Sequence, residues 1–539
     1  MTCCSLRIGL IVGLMGLAGL VRAAEQGGRP NILIILTDDM GYSGIGCYGG
    51  EVNTPNLDKL AADGLRFTTF YNTARCCPTR ATLLTGLYAH QAGVGHMVDD
   101  RGLPAYRGEL NDRCATIPEV LRPAGYSTYI VGKWHVARNL GPGGPQHDWP
   151  MQRGFGQFYG TLAGAGNYFA PKALYRGNTP VDSAADPDYK PELYYYTDAI
   201  TEHAVRFISD HTDKQAGKPF FMYVAYTAAH WPLHAKPQDI AKYKGKYDAG
   251  YDVIRQARIE KQKKLGLLDP RWTMSPTVGA WDKVQDKAWE ARCMEVYAAQ
   301  VDCMDQGVGR IVAALEKTGQ LNNTLVMYLQ DNGACAEDQQ RAASRKAGKM
   351  PGPADTHISY GRDWANVSNT PLRYYKHWEH EGGISTPLIV RWPAVIAAGR
   401  NGSLVKDPGH LIDLMATCVD VGQAKYPQDL NGKPIQPMEG ISLRPVFEGK
   451  SLERSTPLFF EHEGNKAVRD GKWKLVLAHG PKATWELYDM ETDRAEMHDL
   501  ADREPQRARD LAAKWDAWAS RVGAQPWPLK AAGKAANQE

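Results

Sequence analysis

The chain has 539 residues, 43% of them hydrophobic and 23% charged, a composition ordinary for a globular protein and too apolar for a disordered one. Lys and Arg number 63 against 60 Asp and Glu, a formal net charge of +3 with no basic tail, which argues against nucleic acid as a partner. At this length the chain can bury a large core and carry a second, smaller domain.

The N-terminus reads as an export signal: Arg7 precedes an apolar run from Ile8 to Val21, and small residues at Val21 and Ala23 suit a signal peptidase. The run is short for a membrane span, so residues 1–23 are expected to be removed, a retained anchor being the alternative. Removal would take away Arg7 and Arg22 and no acid, lowering the formal charge from +3 to +1. No later apolar stretch is long enough for a transmembrane helix, so no stable membrane insertion is expected. Cys3 and Cys4 would leave with the signal. The other cysteines, Cys47, Cys76, Cys77, Cys114, Cys293, Cys303, Cys335 and Cys418, are too sparse for a disulfide scaffold and form no C-x-x-C zinc pair; one or two disulfides stay open.

Along the chain, the first strand signal is NILIILT, Asn31–Thr37. A helix is expected over PTRATLLTG, with Pro78 at its first position. Strand signals follow at Tyr126–Val131 and Pro219–Tyr226, separated by a helical stripe of Ile200, Ala204, Phe207 and Ile208. His234 to about Trp289 is charged and reads as a long insertion, either a substrate-cleft rim or, preferred, a solvated excursion. A longer helix carries Ala298, Val301, Met304, Val308, Ile311 and Leu315, then come strands at Thr324–Leu329 and Pro387–Trp392. From about Ser451 the texture changes to short alternating strands and a helix with Leu511, Trp515, Trp518 and Val522 on one side.

Near-continuously apolar strands separated by helices predict an α/β fold with a large, mostly parallel central sheet flanked by helices. The alternating C-terminal pattern predicts a small α+β subdomain of antiparallel strands and a helix. The expected organisation is a signal at 1–23, a catalytic domain at 24–450 and a C-terminal subdomain at 451–539.

Ligands of open α/β sheets bind beyond the carboxyl ends of the strands, so the residues there are the candidates. Asp38 and Asp39 follow the first strand, Asp331 and Asn332 the strand ending at Leu329. Together they form a hard oxygen set suited to calcium or magnesium rather than zinc. Lys133 and His135 follow the Tyr126 strand and would share one face of an extended segment. His230 and His234 follow the Pro219 strand, and Lys376 lies before the Pro387 strand. Cations gathered beside a metal site suggest an anionic substrate. A cysteine at the start of the PTRATLLTG helix would have a depressed pKa.

With these residues in place the chain resembles the formylglycine-dependent sulfatases of the alkaline-phosphatase superfamily, and most of all the bacterial arylsulfatases. The pattern C-x-P-[ST]-R-x-x-x-L-T-G is met by Cys76, Pro78, Thr79, Arg80, Leu84, Thr85 and Gly86. ILTDDMGYSGIGCYGG, GYSTYIVGKWH, FFMYVAYTAAHWPLHA, YLQDNG and HEGGISTPLIVRWP are similar to family segments in family order, and the likeness runs from about Pro30 to Trp527. It implies an alkaline-phosphatase-like fold and a sulfuric ester hydrolase in which a dedicated maturation enzyme oxidises Cys76, not Cys77, to formylglycine. The hydrated aldehyde attacks sulfur with one hydroxyl, and the second, once deprotonated, expels sulfate.

Carried over residue by residue, the resemblance gives Asp38, Asp39, Asp331 and Asn332 one calcium ion, with magnesium or manganese the lesser options. Arg80 stabilises the diol, His135 is the base for elimination, Lys133 and Lys376 neutralise the sulfate oxygens, and His230 grips the sulfate and protonates the leaving oxygen. Lys376 is the loosest match, and His234 receives no role. The substrate is a sulfate ester, aryl or glycan, and the location periplasmic or secreted. The rival readings are a phosphonate monoester hydrolase or phosphodiesterase of the same superfamily, and a binder of sulfated ligands with unmodified Cys76.

Overall fold

The computed structural model describes residues 28–529, so the expected signal segment lies outside the described residues. One 11-stranded sheet dominates. Its strands are β1 (Asn31–Thr37), β2 (Leu65–Tyr71), β3 (Ser127–Lys133), β4 (Gln157–Thr161), β5 (Leu174–Arg176), β6 (Thr179–Pro180), β7 (Phe220–Ala225), β8 (Thr324–Gln330), β9 (Ser385–Arg391), β10 (Ser403–Val405) and β11 (Gly409–His410). The order is β10-β2-β9-β8-β1-β7-β3-β4-β5-β6, with β11 also beside β2. The central run β8-β1-β7-β3-β4 is parallel, and β9 lies antiparallel to both neighbours.

β1, β7 and β8 are buried at every residue because helices cover both faces. Alternation along β1 sends Leu33 and Ile35 into one core, with Ala199, Ile200 and Val301 of the helices Tyr196–Lys214 and Lys287–Lys317. It sends Ile32, Ile34 and Leu36 into another, with Leu83, Leu84 and Met415 of the helices Cys76–Thr85 and Ile412–Val421. A two-stranded ribbon, β12 (Asp429–Leu430) and β13 (Lys433–Pro434), precedes the C-terminal antiparallel sheet of β14 (Leu458–His462), β15 (Asn465–Asp470), β16 (Trp473–Leu477) and β17 (Glu486–Asp489). The helix Pro505–Val522 lays Leu511, Trp515, Trp518 and Val522 on that sheet, in a core that also holds Tyr71, Tyr88 and Ile412.

Two expectations change. The helix expected from Pro78 starts at Cys76, its first closing bond running from the Thr79 N–H to the Arg75 carbonyl at 3.0 Å. Pro78 is then its third residue, where an N–H has no acceptor within the helix in any case. The preferred reading of 234–289 as a solvated excursion is wrong. Tyr243, Tyr247 and Tyr251 are buried, and the buried Arg258 pairs with Glu51 at 2.7 Å and donates to Ser43 Oγ and the Val367 carbonyl at 3.2 Å. The question of disulfides left open by the sequence is answered for the described residues, whose cysteines are all buried and free. Among those residues no helix is long and apolar enough to cross a membrane.

Candidate active site

The pairing of β1 with β8 places Thr37 opposite Gln330, so the chain leaves both strands side by side with Asp38 next to Asp331. Asp39 turns through a left-handed conformation, φ 56°, an uncommon geometry for a side-chain-bearing residue that clusters at functional sites. Its N–H donates to Asp331 Oδ1 at 3.2 Å, and Asn332 Nδ2 donates to Asp39 Oδ1 at 2.7 Å. β7 and β3 lie next along the sheet and deliver His230, Lys133 and His135 to the same edge.

The cations engage these carboxylates directly. Arg80 Nη2 donates to Asp331 Oδ2 at 2.9 Å and Asp38 Oδ2 at 3.2 Å, while Nη1 donates to the Lys133 carbonyl at 3.0 Å. Lys133 Nζ meets Asp38 Oδ2 at 2.5 Å, and Lys376 Nζ meets Asp39 Oδ1 at 2.7 Å. His230 Nε2 faces Asp39 Oδ2 at 3.3 Å, with Nδ1 on the Trp231 carbonyl at 2.7 Å. All ten residues assigned in the sequence are buried at this edge.

Three oxygens here, Asp38 Oδ1, Asp39 Oδ2 and Asn332 Oδ1, are buried with no hydrogen-bond partner among the described residues. A buried acceptor without a partner costs about 1–3 kcal/mol, and three in one place are explained by an ion between them. The donors are hard oxygens, so the residues present fit one divalent cation of the calcium or magnesium kind. Burial and the adjacent Asp38 push the Asp331 carboxyl well above the carboxylate range despite Arg80. Burial would raise Asp39 too, but His230 and Lys376 outweigh it and hold Asp39 low.

Cys76 occupies the first turn of its helix, buried, with its Sγ, the Cys77 Sγ and a His135 ring nitrogen within 4.8 Å of one another. A hydrogen bond from Cys77 lowers the Cys76 thiol well below its usual value, and Lys133 adds to this against the cost of burial. Burial pushes Cys77 up instead. The extended face expected for Lys133 and His135 is not formed, because His135 is left-handed at φ 57°. Its ring sits 3.2 Å from Cys77 Sγ, and burial lowers its pKa to about 4.

His234 does not join the site. It is buried with Nε2 on the Thr356 carbonyl at 2.7 Å and its pKa pushed down by burial to about 4, a core histidine. Sequence reasoning missed Glu337, which takes Arg75 Nη1 at 2.9 Å and Trp231 Nε1 at 2.8 Å and lies 3.7 Å from Lys376 Nζ. It also missed Tyr223, whose hydroxyl accepts from Arg80 at 3.4 Å, and the second layer at Thr79, whose Oγ1 donates to the Asp331 carbonyl at 2.6 Å.

The family model described as Sulfatase matches residues 30–424. The chain belongs to the sulfatase family. A second model, N-sulphoglucosamine sulphohydrolase, C-terminal, matches residues 372–514 of this sulfatase. It is 32% identical to an uncharacterized sulfatase of Schizosaccharomyces pombe over 92% of this chain and 94% of the relative. It is 32% identical to an arylsulfatase of Klebsiella aerogenes over 82% of this chain and 97% of that one. The crystal structure of Ps i-CgsB, also solved in complex with k-i-k-neocarrahexaose, is 26% identical and superposes with a TM-score of 0.67 over 93% of this chain and 94% of that one. The sulfatase is thus a sulfuric ester hydrolase on an alkaline-phosphatase-like fold.

Proposed function

We propose that this sulfatase cleaves a sulfate monoester at the pocket between Cys76, Arg80, Lys133, His135, His230 and Lys376, with Cys76 converted to formylglycine by a maturation enzyme. Asp38, Asp39, Asp331 and Asn332 would hold one calcium ion, which when bound polarises the sulfate and the attacking hydroxyl. Hydrated formylglycine supplies two hydroxyls on one carbon, one to attack sulfur and one whose deprotonation releases sulfate. The carrying observation is that the first turn of the Cys76 helix opens onto three unpartnered carboxyl and amide oxygens and three buried cations.

Each side chain has one task. Lys133 and Lys376, fixed by Asp38 and Asp39, set positive charge where the sulfate oxygens gain negative charge in the transition state. Arg80 is locked by four acceptors and orients the nucleophile above its own helix. His135, neutral above about pH 4, is the acceptor for the second hydroxyl proton. His230 commits Nδ1–H to the Trp231 carbonyl, so the proton given to the leaving oxygen would come from Nε2–H of the doubly protonated ring, which leaves the neutral Nδ1–H form behind. Trp231, anchored through Nε1 to Glu337, stands beside His230 and offers a ring face to a cyclic leaving group, aryl or pyranose. The complex of Ps i-CgsB with k-i-k-neocarrahexaose supports a glycan sulfate as the substrate class.

The test is mass spectrometry of the peptide Thr73–Arg80 from protein of its native host, paired with hydrolysis of 4-nitrophenyl sulfate. An aldehyde at Cys76 with sulfate release is expected. An unmodified thiol in a protein that still turns over would refute the mechanism.

A further inference from the structure

A second group of ligand-type side chains lies outside this machinery, where the C-terminal sheet meets the Lys376 loop. His462 ends β14, Glu463 occupies the β14–β15 turn, His377 follows Lys376, and His96 comes from the loops beyond the Cys76 helix. Glu463 is the hub. His96 Nε2 lies 2.7 Å from its Oε1, His377 Nδ1 3.0 Å from its Oε2, and His462 Nε2 3.9 Å from its Oε1. One ligand atom each from His377, His462 and Glu463 falls within 4.8 Å of the others.

A network of ion pairs accounts for only part of this. Protonated His96 and His377 could both serve Glu463, yet His462 is left over. It is completely buried, and neither Nδ1 nor Nε2 has a hydrogen-bond partner among the described residues. An imidazole always carries at least one N–H, and when neutral one lone pair, so a buried ring with both nitrogens bare lacks a ligand. Its Nε2 is too far from Glu463 to bond it and close enough to share an ion with it. Two ligands about 2.0–2.1 Å from a tetrahedral ion lie roughly 3.3 Å apart; His377 Nδ1 lies 3.0 Å from Oε2 and His462 Nε2 3.9 Å from Oε1, so the ion would sit before both oxygens of the one carboxylate. His96, with Nε2 at 2.7 Å from Glu463 Oε1 and Nδ1 against Asp99 Oδ1 at 3.3 Å, orients the carboxylate from behind.

We propose that His377, His462 and Glu463 bind a transition-metal ion of the zinc class, with water as its fourth ligand and His96 steadying Glu463 through its hydrogen bond. Imidazole nitrogens with one carboxylate suit zinc, where the Asp38, Asp39, Asp331 and Asn332 set suits calcium. The ion would tie the Lys376 loop to the end of β14 and its turn, and because His377 adjoins Lys376 it would anchor the loop that presents Lys376 to the catalytic residues. Asn465 braces the same loop by donating from Nδ2 to the His377 carbonyl at 3.2 Å.

The experiment uses the full-length protein, stripped with chelator, reloaded with calcium and titrated with cobalt(II) as the probe. One equivalent is expected to bind with visible absorption of a tetrahedral ion, to be displaced by zinc, and to show no thiolate charge-transfer band. Glu463→Gln, at a partly exposed turn, should weaken binding at least about tenfold, and His377→Ala should do the same. Absence of stoichiometric binding by the wild-type protein overturns the proposal without recourse to a variant. So does binding unchanged in both variants, or a thiolate band placing the ion on Cys76 and Cys77.

Discussion

Asp39→Asn and Lys376→Met, alone and together, test whether Lys376 and the cation share one carboxylate. Asp39 Oδ1 accepts from Lys376 Nζ and Asn332 Nδ2, each at 2.7 Å, and Oδ2 is left for His230 and the ion. Removing one member of a buried pair costs about 3–5 kcal/mol, because the other stays buried without compensation. Lys376 would retain Glu337 only at 3.7 Å, and that carboxylate is partly solvated. The cost of Asp39→Asn is therefore set near the lower end, about 3 kcal/mol. Unfolding entropy near about 1.1 kcal/mol/K for a chain of 539 residues turns this into a fall in Tm of about 3 °C. Lys376→Met should cost a similar amount in chelator but less than about 1 kcal/mol in saturating calcium, where the ion takes over as the partner of Asp39. In chelator the double variant should lose at least about 1 kcal/mol less than the sum of the singles. The assay is calorimetric unfolding of the four proteins in calcium and in chelator, with calcium titration of each. Strict additivity in chelator, or wild-type calcium affinity in Asp39→Asn, would refute the reasoning.

Cys76→Ala should abolish sulfate release with Tm unchanged within a degree or two, whereas Cys77→Ala should keep most activity; equal loss in 4-nitrophenyl sulfate assays would reverse the assignment. Chelation should stop turnover and calcium should restore it, measured as initial rate; recovery with manganese alone would favour phosphonate ester chemistry. His203 and His234 are held by burial at about 4, below the 6.5 of an exposed histidine. The unfolded chain therefore binds protons first, and stability present above about pH 6.5 is lost as pH falls towards about 4. Urea unfolding across that window should give a slope near 1.4 kcal/mol per pH unit for each group, and a flat profile would refute it.

The strands buried on both faces were legible because double burial demands an unbroken apolar run, as in NILIILT and TLVMYL. β2 escaped because LRFTTFY mixes Arg66, Thr68 and Thr69 into its apolar run, although Arg66 and the Thr68 hydroxyl find the Cys47 and Val405 carbonyls in the fold. The candidate ligand set was legible as two oxygen-bearing pairs at strand ends, Asp38 with Asp39 and Asp331 with Asn332. Their convergence was not, since it depends on β1 lying against β8, and Asp39 and Asn332 are 293 positions apart. The 234–289 segment misled because charge is read as exposure: Arg258 is charged and buried, compensated by Glu51 from 207 positions away. Glu337, Tyr223, His96 and Glu463 carry no spacing signal, because their partners come from other segments.

The same long-range dependence explains why the C-terminal sheet belongs to the chemistry. Glu381, a few residues after Lys376, is completely buried and pairs with Lys474 of β16 at 3.0 Å and Arg494 at 3.1 Å, while Lys474 also holds Glu496 at 2.8 Å. Buried charges in such a network are stable only as a set, since loss of one leaves the next uncompensated. Burial would raise the Glu381 carboxyl, and Lys474 with Arg494 instead brings it down to about 2. The loop from Lys376 to Glu381 is therefore gripped at its far end by the C-terminal sheet, and Tyr71 and Ile412 of the main body lie in that sheet's core. The family match spanning 372–514 begins just before this loop and ends within the last helix. That stretch grips the far end of the loop, while the main body fixes its near end, where the Lys376 N–H donates to the Ala334 carbonyl at 3.0 Å, the His377 N–H to the Ala74 carbonyl at 2.9 Å, and Lys376 Nζ meets Asp39 at 2.7 Å.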